Sequence, residues 1–189
     1  VKYLVPRLES FALASIGPRT KGCMVTGIDP EQENKMTNLA EKISSGQYLE
    51  QNDKGALIGD KLASYLGLDI GDTLVMIGQG YHSMSAAGIY PIRGILHFPS
   101  PELNGRMVYL TLHEAQEFFS TDDQLSSLSI LLDDNDALDE AKQYITDVSG
   151  SSEYEVMGWG EILFELEQLI QSKYQSSYIM TGLLYMIVG

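Results

Sequence analysis

The chain has 189 residues, 44% of them hydrophobic and 20% charged, a composition that suits one or two packed cores and not a disordered chain. Lys and Arg number 12 against 26 Asp and Glu, a formal charge of −14, which excludes the basic footprint that nucleic acid or an anionic lipid surface requires. The single cysteine, Cys23, excludes an internal disulfide and a multi-cysteine zinc site, and its apolar setting, GCMVTG, reads as a small buried side chain.

In chain order, Tyr3, Leu4 and Val5 open a strand that resumes beyond Pro6. Residues 23–28 form a second strand, and Gly17-Pro18 breaks the chain between the two. Asp29-Pro30-Glu31 starts a polar stretch through Lys42 that is helical in part, and residues 43–50 contain a turn at Ser45-Gly46. Residues 56–77, ALIGDKLASYLGLDIGDTLVMI, organise the middle of the chain as strand, turn, short helix, turn, strand. Asp60 is the expected N-cap, its short carboxylate accepting from the free N–H groups of the first turn. Leu62, Ala63 and Leu66 share one helical face, Gly67 stands where a left-handed C-cap is favoured, and Gly71-Asp72 turns the chain into a strand over residues 73–77. Residues 78–88, GQGYHSMSAAG, carry three glycines and no charge. Bracketed by apolar runs at 73–77 and 89–96, they read as the tip of a long hairpin. Pro99, Pro101, Asn104 and Gly105 mark the next loop and a subdomain boundary.

From Met107 the pattern becomes regular. A strand over 107–110 leads to Thr111 and Glu114, spaced as a capping box, and to a helix whose Leu112, Ala115, Phe118 and Phe119 share a face. A strand over 127–132 follows. Asp134 or Asp136 caps a helix with Leu138, Ala141, Ile145 and Val148 at helical spacing, and residues 154–157 are expected as a further strand. This β-α-β-α-β order implies helices layered on a sheet. Gly158-Trp159-Gly160 breaks the chain, with Trp159 read as a plug at a subdomain joint, a binding anchor being the alternative. Residues 161–173 are amphipathic, with Ile162, Leu166, Leu169 and Ile170 on one side, and residues 174–189 carry no charge. The apolar end, YIMTGLLYMIVG over 178–189, is shorter than a membrane span; it is a core element or the first turns of a transmembrane helix, and the second reading is adopted.

Chemistry is hard to find. His82, His97 and His113 have no partners at metal-ligand spacing, and His113 reads as solvated surface. His82 has Ser83 and Ser85 for neighbours but no GxSxG elbow surrounds them. Gly78-Gln79-Gly80 is a lone GxG, better explained by the hairpin than by a phosphate. Asp133-Asp134-Asn135-Asp136 lacks the Gly and Glu of a calcium loop. No catalytic, cofactor-binding or metal-ligating residue is assigned, and no cofactor is expected.

The series GQYLEQNDKGALIGDKLASYLGLDIGDTLVMIGQG, YPIRGILHFPSPELNGRMVYLTLHEAQEFF, SILLDDNDALDEAKQYI and GWGEILFELEQLI resembles the extracytoplasmic domain of MacB/LolC/LolE-type ABC transporter permeases, the FtsX-like superfamily. The likeness covers nearly the whole chain, and the order of the motifs is as specific as the motifs themselves. It implies an α+β fold: a discontinuous porter-like β-α-β subdomain (1–45 and 105–177), an inserted, β-rich sabre-like subdomain (46–104) with hairpin 78–88, and the start of a truncated transmembrane helix (178–189). It further implies a non-enzymatic domain on the periplasmic side of the inner membrane, held there by flanking helices. The implied partners are an ABC ATPase subunit or domain, a second permease subunit in a homo- or heterodimer, and a periplasmic adaptor or lipoprotein partner. ATP hydrolysis in the cytoplasm would then be coupled by mechanotransmission to export, efflux or lipoprotein handling. Hairpin 78–88 is similar in position to the chaperone-binding hook of LolC-like members, although that hook carries a proline and none stands here between Asp72 and Tyr90. Its tip, Tyr81, His82, Ser83, Met84, Ser85 and Ala86, is the expected partner-binding site. Two other readings stay open: a membrane-anchored scaffold module without transport, and a soluble hydrolase using His82 with Ser83 or Ser85.

Overall fold

The structure, a computed structural model, describes residues 1–80, 85–121, 123–134, 137–149 and 154–161. It divides into two compact units, Val1–Leu131 and Leu132–Gly189. In the first, β1 (Tyr3–Ile16) and β2 (Arg19–Ile28) form a hairpin over Gly17-Pro18, with Gly17 in the left-handed region at φ +54°. The first strand is longer than its sequence suggests. Pro6 is tolerated because β8 (Ser127–Leu131) pairs it on one side only, the β2 pairing beginning at Arg7.

The remaining strands are β3 (Ile43–Gly46), β4 (Ala56–Gly59), β5 (Thr73–Gln79), β6 (Ser85–Leu96) and β7 (Met107–Thr111). Their pairings close on themselves. β1 pairs β2 and β5, β5 pairs β6, β6 pairs β4, β4 pairs β7, and β7 returns to β2. The β2–β7 and β4–β6 ladders are parallel and the others antiparallel. β8 continues the sheet along the first half of β1, and β3 pairs with the end of β6. Strands from residues 46–104 and strands from the flanking segments thus share one sheet.

The inner face of this ring carries the main core. Two helices pack on it, α2 (Asp60–Leu66) through Leu62, Ala63 and Leu66, and α4 (Leu112–Phe119) through Ala115, Phe118 and Phe119. Beside α4 the strands turn small residues inward: Ala12, Ala14, Cys23, Gly27, Gly78, Ala86 and Gly88. An added Cβ at Gly27 would overlap the Ala115 side chain, and one at Gly88 would come within 2.9 Å of Phe118. The helix supplies the bulk and the strands make room for it.

Part of the outer face is covered by α1 (Pro30–Thr37), a 3₁₀ turn (Leu39–Lys42) and the segment after β3, which bury Ile28, Leu39, Leu49, Leu57 and Leu96. Asp29 caps α1 by accepting from the Gln32 N–H at 2.9 Å. Arg7 anchors α1 to β1 by donating to both carboxylate oxygens of Glu33, at 2.7 and 2.8 Å.

Several local expectations are corrected. The backbone caps α2 at Gly59; Asp60 is already the first helical residue, and its carboxylate instead meets His97 Nδ1 at 2.6 Å. Thr111 has the N-cap conformation, but its hydroxyl donates to the Asp53 carbonyl at 3.3 Å, and no side-chain capping bond forms. Glu114 lies 3.9 Å from Lys54 instead of completing the capping box. In each case a tertiary partner replaces a local one. The loop after β6 holds a single helical turn, α3 (Pro101–Asn104), where the Asn104 side chain bridges the N–H and carbonyl of Phe98.

The second unit contains α5 (Leu138–Ser149). Residues 154–157 form no strand. A helical turn starts at Trp159, with the Gly158 N–H donating to Glu161 at 2.7 Å and Lys142 at 2.5 and 2.6 Å from the same carboxylate. The Lys142 hydrogen bond and then the Gly158 N–H hold the Glu161 carboxyl below its usual range. Trp159 is 69% exposed. The cap expected from Asp136, the helix expected over 162–173 and the apolar end over 178–189 lie outside the described residues.

Candidate functional site

Hairpin β5–β6 is paired from Thr73 with Pro91 to Gln79 with Ser85, four rungs longer than apolar content suggested, since Gly78 and Gln79 remain strand and β6 starts at Ser85. β1 lies beside it only from Ala12 to Ser15. Among the described residues the last rung, Gln79 with Ser85, therefore has no third strand paired to it. Of the expected tip residues, Tyr81, His82, Ser83 and Met84 lie outside the described residues. Ser85 is exposed at the start of β6. Ala86 is only 4% exposed and packs in the core, so it offers a partner no surface. The alternation of a strand turns one of these two neighbours out and the other in.

Next to the hairpin lies a surface that periodicity did not single out. Registers of β2, β1, β5 and β6 align their outward positions in rows. Gly22, Leu13, Ile77 and Ala87 form the central row, with Thr20, Ser15, Val75 and Ile89 on one side. Met24 with Phe11 and Gln79 with Ser85 occupy the other. None of these twelve positions is buried or charged. Phe11 is 68% exposed, Leu13 50%, Ile77 51% and Ile89 69%. An antiparallel sheet that meets water ordinarily turns polar side chains to it, and a contiguous apolar patch on a protein surface commonly marks an interaction site. In the sequence, Phe11-Ala12-Leu13-Ala14 is apolar in both phases, which hid the direction. The only signal was size: the small residues face the aromatic helix, so the large ones face out.

Elsewhere the titratable groups serve structure. His97 pairs with Asp60, and His113 lies 3.5 Å from Glu117 on the surface. Burial pushes the Cys23 thiol up to about 11 and the Tyr90 hydroxyl up to about 12. Among the described residues no three His, Cys, Asp or Glu side chains are grouped to hold a metal ion, and no helix is long and apolar enough to cross a membrane.

The family model of the MacB-like periplasmic core domain matches residues 1–148. The chain belongs to this family. Its curated relatives include the lipoprotein-releasing system transmembrane protein LolC from two strains of Xylella fastidiosa, each 38% identical over 74 residues. That match spans 38% of this chain and only 18% of the relative, so the chain corresponds to a small part of those proteins. Among solved structures, the extracellular domain of the noncanonic ABC-type transporter YknZ from Gram-positive bacteria aligns with a TM-score of 0.63 at 18% identity, over 84% of this chain and 82% of that one. The periplasmic region of MacB from Actinobacillus actinomycetemcomitans aligns at 0.61 and 14% identity, over 88% and 78%. These structural likenesses are of fold, and they agree with the α+β architecture. This MacB-like periplasmic core domain is an extracytoplasmic domain of a MacB/LolC-type ABC transporter permease, and the hairpin and the uncharged face are its two unassigned surfaces.

Proposed function

We propose that this domain is the non-catalytic, mechanically coupled part of an ABC permease in the inner membrane. ATP hydrolysis by a cytoplasmic ATPase domain or subunit moves the flanking helices and reshapes the domain, driving export or lipoprotein handling on the periplasmic side. The permease works as a homo- or heterodimer, and the end of β5–β6 contacts a periplasmic adaptor or lipoprotein partner. On this reading residues 1–45 and 105–177 form the porter-like part, residues 46–104 the sabre-like part, and residues 178–189 begin a transmembrane helix. The observation that carries it is the family match over residues 1–148.

The test is protease accessibility of this segment in the full-length protein, in intact and in lysed spheroplasts. Cleavage in intact spheroplasts that leaves membrane-bound stubs is expected. Protection until lysis would place the domain in the cytoplasm and end the permease reading.

A further inference from the structure

We propose that a basic corner of the first unit, built around Tyr65, binds an acidic peptide segment of a partner protein. The net charge of −14 conceals it. Arg19 and Lys21 have the inward phase of Cys23 and Val25 on β2 but lie beyond the end of the core. Arg19 donates to the carbonyl of Leu66, the last residue of α2, at 3.1 Å. The Lys21 ammonium stands 4.9 Å from the centre of the Tyr65 ring. It is also 3.6 Å from where a Cβ on Gly105 would lie, next to Arg106 in the chain. Lys61, one helical turn before Tyr65, shares its face of α2. Four of the 12 basic residues thus surround one tyrosine that is 51% exposed.

Charge pairing sets this corner apart. With 26 acidic residues for 12 basic ones, a cation that meets no carboxylate is the exception. Arg7, Lys35, Lys54, Arg93 and Lys142 each meet one, at 2.5 to 3.9 Å. Among the described residues Arg19, Lys21 and Lys61 have no such partner. Arg106 has Glu102 at 3.4 Å, between side chains that are 63% and 74% exposed, and an exposed pair of that kind holds weakly and can be exchanged for another carboxylate.

The geometry selects a peptide over a phosphate. α2 and α3 both end at this corner, so the backbone groups they leave over are carbonyls and not the N–H groups that gather a phosphate. The cations are spread around an aromatic ring, which suits carboxylates alternating with an apolar side chain along a segment. Tyrosine and arginine commonly anchor such contacts, and complementary charge speeds the approach of the partner. The acidic remainder of the surface repels the same segment and confines it to this corner. The membrane fits less well. On the permease reading a flanking helix precedes β1, whereas Arg19 follows the far end of that strand, roughly 45 Å along it, and attraction to headgroups is screened within about 8 Å. Only this last exclusion rests on that reading.

The probe is a fluorescein-labelled peptide repeating Glu-Glu-Leu, titrated by anisotropy onto the full-length protein in zwitterionic nanodiscs. Saturable binding is expected. Lys21→Gln with Lys61→Gln should weaken it roughly tenfold, Tyr65→Ala comparably, and Lys21→Arg with Lys61→Arg should retain it. Lys35→Gln with Lys54→Gln removes the same charge elsewhere and should change it by less than about twofold. Equal losses in the two glutamine pairs overturn the corner, because net charge alone would then account for binding. Absence of saturable binding by the parent overturns it outright. If phosphatidylglycerol in the disc abolishes peptide binding, the corner is a headgroup site and the peptide is overturned as its occupant. Protection of the domain in intact spheroplasts, by contrast, would end the permease reading and leave peptide binding unchanged.

Discussion

At the level of single residues, the unusual feature is which way size points. Phe11 and Leu13 look outward while Ala12 and Ala14 look inward, the reverse of what transfer free energy alone would favour. Phe118 and Phe119, both buried, explain it: they occupy the volume that large strand residues would need. Cys23 belongs to the same lining, and its environment yields a pH prediction. Burial raises its thiol from 9.0 to about 11. An unfolded chain loses that proton near pH 9 while the folded chain retains it. The stability linked to Cys23 is then complete below pH 9 and declines toward pH 11, by roughly 2 to 3 kcal/mol in total. Urea unfolding at pH 8 and pH 10.5 reads this directly, with Cys23→Ala as reference. The variant should lose less stability between the two pH values than the parent. Equal losses would show that the thiol titrates alike in both states.

Among elements, the contact of α4 with β2 is the most exacting. Gly27 lies under Ala115, where a methyl group has no room, whereas Gly22 in the same strand has nothing within 4 Å of an added Cβ. Gly27→Ala is expected to lower the unfolding free energy by about 1 to 3 kcal/mol through overpacking. Gly22→Ala should change it by less than about 0.5 kcal/mol or improve it slightly. Chemical denaturation of the pair checks this, and equal midpoints would mean that α4 shifts freely. Element identity was largely legible in sequence: the left-handed cap at Gly67, the buried stripe of Leu62, Ala63 and Leu66, and the strands around them all formed. Capping at Asp60 and Thr111 was not, because His97 lies 37 residues from its partner and Asp53 lies 58 from its own. Such contacts do not exist until the sheet closes.

For the molecule as a whole, 12 basic residues against 26 acidic ones leave a self-repelling surface. Screening that repulsion favours the compact state. Raising sodium chloride from about 0.02 M to about 0.3 M shortens the Debye length from roughly 20 Å to below 8 Å, and the thermal midpoint of the folded domain should rise by a few degrees. Differential scanning calorimetry across that range decides it. A flat or falling midpoint would mean that attractive pairs such as Arg7–Glu33, whose glutamate is nearly buried, outweigh the net repulsion.

The amino-acid sequence by itself determined the strand, turn and helix signals, the excess of acid and the order of motifs that placed the chain among MacB/LolC-type domains. Those are properties of neighbours in the chain, readable from periodicity, glycine and proline positions and composition. Tertiary structure alone decided that the strands close into a ring, that Ala86 turns inward beside an exposed Ser85, and that Phe11, Leu13, Ile77 and Ile89 stand exposed on one side of neighbouring strands. Residues 11 and 77, or 13 and 89, share no local rule. What joins them is strand register, and register is set by which side of each strand has room for the aromatic side chains of α4.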